Sequence, residues 1–176
     1  VQIKDLPSEA RISNLSWSPD QSFMAFTNTT SKGVELWIVD IQNATAKRIT
    51  DDNLNANLGR PFVWFQDSKN ILIKRIPESR KSLINELEAI PTGPTISINE
   101  GQKAQNRTYQ DLLKNKNDEI NFESIATSEL WRINISDGSS KLFLEADIYA
   151  GESFSPDGEY LMVTSIEKPY SYIVPL

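Results

Sequence analysis

No cysteine and no histidine occur anywhere in the 176 residues. Without cysteine there is no disulfide framework, no thiolate nucleophile and no thiolate metal ligand. Without histidine there is no imidazole base, so a Ser-His-Asp or Cys-His site cannot be assembled from this chain alone. A zinc site would have to be all-carboxylate, which is uncommon. Long apolar runs are also missing: the longest are four residues, such as Leu36-Trp37-Ile38-Val39 and Tyr160-Leu161-Met162-Val163, against about twenty for a spanning helix. Positive charge is in deficit, with Lys+Arg 18 against Asp+Glu 24, a net of -6 and a pI near 4.8. That balance disfavours a basic nucleic-acid-binding face and binding to an anionic membrane surface. No metal, cofactor, nucleic acid or membrane is therefore expected as a partner. The length fits one compact domain. The chain opens at Val1 without a basic and apolar leader, so no signal peptide is read from it. The compartment is left open, with a periplasmic or secreted setting favoured over the cytoplasm.

What the chain does have is an internal repeat. Ser16-Trp17-Ser18-Pro19-Asp20 is followed by Phe23-Met24-Ala25-Phe26-Thr27. A shift of 137 positions reaches Ser153-Phe154-Ser155-Pro156-Asp157, followed by Tyr160-Leu161-Met162-Val163-Thr164. A shift of 47 reaches a third copy, Trp64-Phe65-Gln66-Asp67 and then Ile71-Leu72-Ile73-Lys74. Proline at the second position of a type I turn has its φ already set, and Ser before it and Gly after Asp suit the flanking positions. The turn joins two short strands as a hairpin. The second strand is apolar at consecutive positions instead of alternating, which predicts burial on both faces.

A second element repeats with a shift of 94. Leu36-Trp37-Ile38-Val39-Asp40-Ile41 leads to Lys47-Arg48-Ile49-Thr50, and Leu130-Trp131-Arg132-Ile133-Asn134-Ile135 leads through Asp137-Gly138 to Lys141-Leu142-Phe143-Leu144. Asp-Gly between apolar runs is a strong hairpin signal. Each full unit is thus four short strands, the blade of a β-propeller at about 40–45 residues per blade. The two shifts differ by 47, so that many extra residues sit inside the second blade, between Lys74 and Leu130. This insertion is broken by Pro77, Pro91, Gly93 and Pro94. Capping-box-like spacing at Thr108-Tyr109-Gln110-Asp111 predicts a short helix near 109–116.

The expected fold is therefore all-β: a partial β-propeller of about two and a half four-stranded antiparallel blades with a mostly irregular insertion containing a short helix. The blades run 11–52, 61–146 (with insertion 78–127) and, in part, 148–176. Closed propellers have four or more blades, so the chain is expected to be a piece of a larger ring whose open blade face promotes self-association.

Two stretches are more specific than the architecture. Arg107-Thr108-Tyr109-Gln110-Asp111-Leu112-Leu113-Lys114-Asn115 with Asp118-Glu119, and Ser155-Pro156-Asp157-Gly158-Glu159-Tyr160-Leu161 with Lys168-Pro169-Tyr170-Ser171-Tyr172-Ile173-Val174-Pro175, resemble the glutamyl-endopeptidase-like branch of the prolyl oligopeptidase family. The resemblance implies a bacterial serine peptidase in which an N-terminal propeller covers the active site and limits access to peptides. A C-terminal α/β-hydrolase domain would carry the triad. No Gly-x-Ser-x-Gly elbow is present here, so no catalytic residue is assigned, and the implied partners are the hydrolase domain and, through it, a peptide substrate. The alternative is a periplasmic TolB- or WD40-like propeller acting as a protein-binding scaffold.

Trp17, Trp37, Trp64 and Trp131 recur at matching positions and are expected to pack in the core or between blades. Asp20, Asp67 and Asp157 are turn residues, and Asp51-Asp52 is a solvated acidic pair in preference to a metal site. The candidate substrate contacts are Arg107, Arg75 and Tyr109, beside or within the insertion. A guanidinium binds a carboxylate with two parallel hydrogen bonds, so Arg107 or Arg75 either holds an acidic group of substrate or, for Arg107, pairs with Asp111 or Glu119 to pin the insertion. Asn43-Ala44-Thr45, Asn106-Arg107-Thr108 and Asn134-Ile135-Ser136 match glycosylation sequons, which carry meaning only in a secretory context.

Overall fold

The fold was read from a computed structural model, which describes residues 2–85, 113 and 115–170. Among the described residues, ten strands and one helix follow in chain order: β1 (Ile12–Trp17), β2 (Phe23–Thr29), β3 (Val34–Asp40), β4 (Thr45–Arg48), β5 (Phe62–Trp64), β6 (Asn70–Arg75), α1 (Lys116–Ala126), β7 (Ser128–Asn134), β8 (Ser140–Asp147), β9 (Tyr149–Phe154) and β10 (Leu161–Ser165). They form two four-stranded sheets, β1-β2-β3-β4 and β5-β6-β7-β8, and a two-stranded sheet of β9 and β10. Every pairing between these strands is antiparallel and sequential. The result is two propeller blades and the inner two strands of a third.

The Asp turns are built alike in all three sheets. In the first, Gln21 N–H donates to Ser18 C=O at 2.9 Å, and the Ser18 hydroxyl accepts the Phe23 N–H at 3.0 Å. In the second, Ser68 N–H donates to Phe65 C=O at 3.2 Å, while Asp67 accepts the N–H groups of Lys69 and Asn70, each at 2.9 Å. In the third, Gly158 N–H donates to Ser155 C=O at 2.9 Å. The residue after each Asp is left-handed, with φ of 61° at Gln21, 54° at Ser68 and 75° at Gly158. Only the third turn places glycine where that conformation costs nothing.

Strand alternation decides which face each apolar residue serves. Ala25, Leu36 and Ile38 of the first sheet share one buried cluster with Phe62, Trp64, Ile71, Ile73 and Ile133 of the second. Leu72 and Leu130, on the opposite face of the second sheet, cluster with Tyr149, Leu161 and Val163 of the third. In the Leu-Trp strands the leucine therefore faces the following sheet and the tryptophan the preceding one. Burying each such side chain contributes about 1.5–3 kcal/mol, which is why β2 and β6 are apolar at successive positions.

The same rule corrects one expectation. Trp64 is buried, with its indole N–H donating to Ser16 C=O at 3.3 Å across the sheets. Trp17, its repeat equivalent, is 55% exposed. It lies on the face of the first sheet where Phe26, Val39 and Ala46 have Ile3, Met24 and Trp37 as their partly buried apolar neighbours among the described residues. Trp17 has the position of an inter-blade residue without a blade to pack on.

The chain divides into two units, Val1–Arg80 with Ala126–Ile166, and Lys81–Ile125 with Glu167–Leu176. The first holds the sheets. Within the second, Asn121 donates to Ile84 C=O at 2.9 Å and accepts the Ile84 N–H at 2.7 Å. Phe122 meets Tyr170 edge-on at 5.4 Å, and Lys168 pairs with Glu123 at 2.5 Å. Positions 109–112 and 114 of the expected helix lie outside the described residues. The helix that the structure does show starts at Lys116, because Asn115 caps it: its side-chain oxygen accepts the N–H groups of Asn117 at 2.8 Å and Asp118 at 3.0 Å. Asp118 and Glu119 in the first turn then favour the positive end of the helix dipole.

Candidate functional site

Of the three candidate substrate contacts, Arg107 and Tyr109 lie outside the described residues, as does Asp111. Glu119, the other expected partner of Arg107, pairs with Lys116 at 2.5 Å. Arg75 is the last residue of β6, directly opposite Glu129 in the β6–β7 register. Its position is the repeat equivalent of Asn28, which stands opposite Glu35 in the first blade.

This equivalence exposes a clasp built twice. Glu35 accepts the Trp37 indole N–H at 2.8 Å and the Asn28 amide at 3.1 Å, and its second oxygen takes Arg48 at 3.1 Å. Burial works against the Glu35 charge, yet the hydrogen bonds from Trp37, Asn28 and Arg48 together hold its carboxyl below the ordinary glutamate value. In the second blade, Glu129 accepts the Trp131 indole N–H at 2.7 Å. Arg75, in place of Asn28, lays its guanidinium over the Trp131 ring at 4.9 Å from the centroid. The clasp glutamates had a sequence signal, since Glu-Leu-Trp occurs in both strands at a shift of 94. Attention to the tryptophans alone passed over them.

Stacking on an indole leaves the in-plane N–H edge of a guanidinium open. Among the described residues Arg75 makes one ion pair, 3.7 Å from the almost fully exposed Glu78. It lines a cleft of about 140 Å³ with Thr50, Asp51, Asn53, Ile73 and Trp131. That volume holds one side chain, not a peptide. Chemically the cleft offers a partly buried guanidinium beside an aromatic wall, with the Asp51 carboxylate also in its lining; a guanidinium can take one carboxylate through two parallel hydrogen bonds.

The turn aspartates are engaged elsewhere. The Ser18 hydroxyl and Ser22 N–H hold Asp20 below the usual carboxylate range, and the Ser155 hydroxyl and Glu159 N–H do the same for Asp157. Asp67 is opposed by burial but lowered by the Lys69 and Asn70 N–H groups. Each serves its own turn, as expected, and Asp67 also pairs with Arg132 on β7 at 3.5 Å. Asp51 sits 3.7 Å from Arg48 with its side chain largely in solvent.

No protein-family model matches the chain. A rice (Oryza sativa subsp. japonica) protein described as a probable chloroplastic glutamyl endopeptidase is 37% identical over 179 residues, covering 96% of this chain and 19% of that protein. An Arabidopsis thaliana protein of the same description is 32% identical over 183 residues, covering 99% and 19%. Over nearly its whole length the chain is similar to glutamyl endopeptidases, the branch that its sequence resembles. It spans about a fifth of the length of these glutamyl endopeptidase relatives. Both are plant proteins, so the expected bacterial origin finds no support in them. Among solved structures, the uncomplexed acylaminoacyl peptidase of Pyrococcus horikoshii shares 15% identity at a TM-score of 0.49, over 89% of this chain and 21% of that one.

Proposed function

We propose that this chain is a non-catalytic propeller segment of a glutamyl-endopeptidase-type serine peptidase, gating peptide access to an α/β-hydrolase domain supplied by residues outside it. The observation that carries the reading is identity of 37% and 32% to glutamyl endopeptidases across nearly the whole chain. The absence of histidine supports the division of labour, because a serine nucleophile needs a base that this segment does not own. A rigid stack of blades limits access by size, so extended peptides pass and folded proteins do not.

Within that role, Arg75 binds an acidic side chain of the substrate, with Arg107 and Tyr109 as further contacts from the insertion. The test is steady-state cleavage by the full-length enzyme of matched peptides carrying Glu or Gln, before and after Arg75→Ala and Arg107→Ala. A charge-assisted bidentate contact is worth about 1.5–3 kcal/mol, so kcat/KM for the Glu peptide falls by about tenfold to a hundredfold while the Gln peptide changes less. An unchanged Glu/Gln ratio in both variants rejects the substrate role.

A further inference from the structure

Lys74 closes the apolar run Ile71-Leu72-Ile73 of β6 and points toward the third sheet. Its side chain is 3% exposed and that of Glu152, on β9, is 5% exposed. The ammonium lies 2.9 Å from a Glu152 carboxylate oxygen and donates to Tyr149 C=O at 2.8 Å and Leu58 C=O at 2.9 Å. Its two hydrogen bonds go to these carbonyls, and the carboxylate stands beside it as an ion pair that is not also a hydrogen bond. Gly59 packs against this site so closely that a Cβ there would lie 3.1 Å from the Lys74 nitrogen.

The repeat shows that this pair is not required by the architecture. Positions equivalent to Lys74 and Glu152 at the junction of the first and second sheets are Thr27 and Phe62, and that junction is buried without an ion pair. A repeat fold with near-equivalent faces has an ambiguity to resolve: the third sheet presents Phe154, Leu161 and Val163, which fit either following face. Docked on the first sheet, Glu152 would be buried against Thr27 with no cation. The Phe62 face of a second copy's second sheet, docked against Lys74, would bury the ammonium with no carboxylate. Either mispairing leaves an uncompensated buried charge, the costliest kind of packing error.

We infer that Lys74 and Glu152 form a recognition key that fixes blade order, directing the third sheet to the second and away from the first. An ion pair kept only as glue predicts something different, since well-packed apolar replacements of buried pairs are often neutral or stabilising.

The experiment uses the full-length polypeptide refolded from denaturant. Glu152→Gln strips the carboxylate charge. The doubles Lys74→Met with Glu152→Met, and Lys74→Thr with Glu152→Phe, remove both charges, the latter installing the residues of the first junction. The proposal expects both doubles to regain secondary structure, with about tenfold or more non-native, mispaired dimer by size exclusion and lowered hydrogen-exchange protection across 149–165. If either double refolds to a monomer with the parent's protection pattern, the key is overturned. Should Glu152→Gln fail to fold, the doubles decide.

Discussion

Glu35 accepts the indole N–H of Trp37 at 2.8 Å, and the same residue pair two positions apart recurs as Glu129 and Trp131 at 2.7 Å. The clasp ties a carboxylate to the strand that carries the inter-blade tryptophan. Glu35 also holds Arg48 and Asn28, so its charge serves three donors at once.

From this follows a pH-dependent prediction for Glu35→Gln. The folded Glu35 carboxyl is held below its ordinary value of 4.5. Its stabilisation is therefore fully present above that ordinary value and is lost as pH falls through the lower folded value. Glu35→Gln is expected to cost about 1.5–3 kcal/mol at pH 7 by weakening charge-assisted bonds. The gap between parent and variant should close as pH falls from the ordinary value of 4.5 through the lower folded one. Urea titrations at pH 7 and pH 3 measure both, and a gap of equal size at the two pH values contradicts the assignment.

Gln21 holds φ of 61° where the third sheet uses Gly158 at 75°. A non-glycine residue in the left-handed region costs about 1–2 kcal/mol, offset in part by the flexibility glycine adds to the unfolded chain. Gln21→Gly should therefore raise the thermal midpoint, by an amount corresponding to about 0.5–1 kcal/mol. The reciprocal change, Gly158→Ala, should lower it, because backbone strain is joined by a Cβ only 2.6 Å from Gln66 Cγ.

Two glycines in similar backbone conformations should respond very differently to alanine. At Gly59, with φ of 66°, a Cβ would sit 2.7 Å from the carbonyl oxygen of Ala150. At Gly138, with φ of 74°, it would meet nothing within 4 Å. Gly138→Ala should cost about 1–2 kcal/mol, from the backbone alone. Gly59→Ala must also move backbone beside the Lys74 ion pair, and should cost at least twice as much by denaturant titration. Equal costs would show that the β4–β5 link yields freely.

The blades were legible because two constraints write themselves locally: Ser-Pro-Asp turns depend on adjacent residues, and burial on both faces forces consecutive apolar positions. Phe23-Met24-Ala25-Phe26 and Ile71-Leu72-Ile73 could hardly serve any other strand. The helix at Lys116–Ala126 was missed because its cap, Asn115, precedes a run without a clear apolar stripe, Lys-Asn-Asp-Glu-Ile-Asn. Lys74 was seen as the end of a strand, and its meaning was hidden, since its partner Glu152 is far away in sequence and only sheet stacking brings them together. Arg75 could be singled out from its place beside the insertion. Its seat on Trp131 follows from the cross-strand register, which no local pattern encodes.

The repeat-equivalent pair Trp17 and Trp64 gives the sharpest contrast for the isolated chain. Trp64 is 6% exposed and Trp17 55%. Trp64→Ala should cost about 3–5 kcal/mol by removing an inter-sheet side chain, whereas Trp17→Ala should shift the unfolding midpoint within experimental scatter. The exposed residues of the two outer faces, Leu15 and Trp17 on one and Tyr160 and Met162 on the other, occupy positions that their equivalents use to join sheets. Apolar surface placed in that way drives association in water. We therefore expect the isolated 176-residue chain to associate with rising concentration in sedimentation velocity, and Trp17→Glu to weaken that association without unfolding the chain. A chain that stays monomeric at high concentration would show that the open faces do not bind one another, and that their complement lies only in further blades of a longer polypeptide.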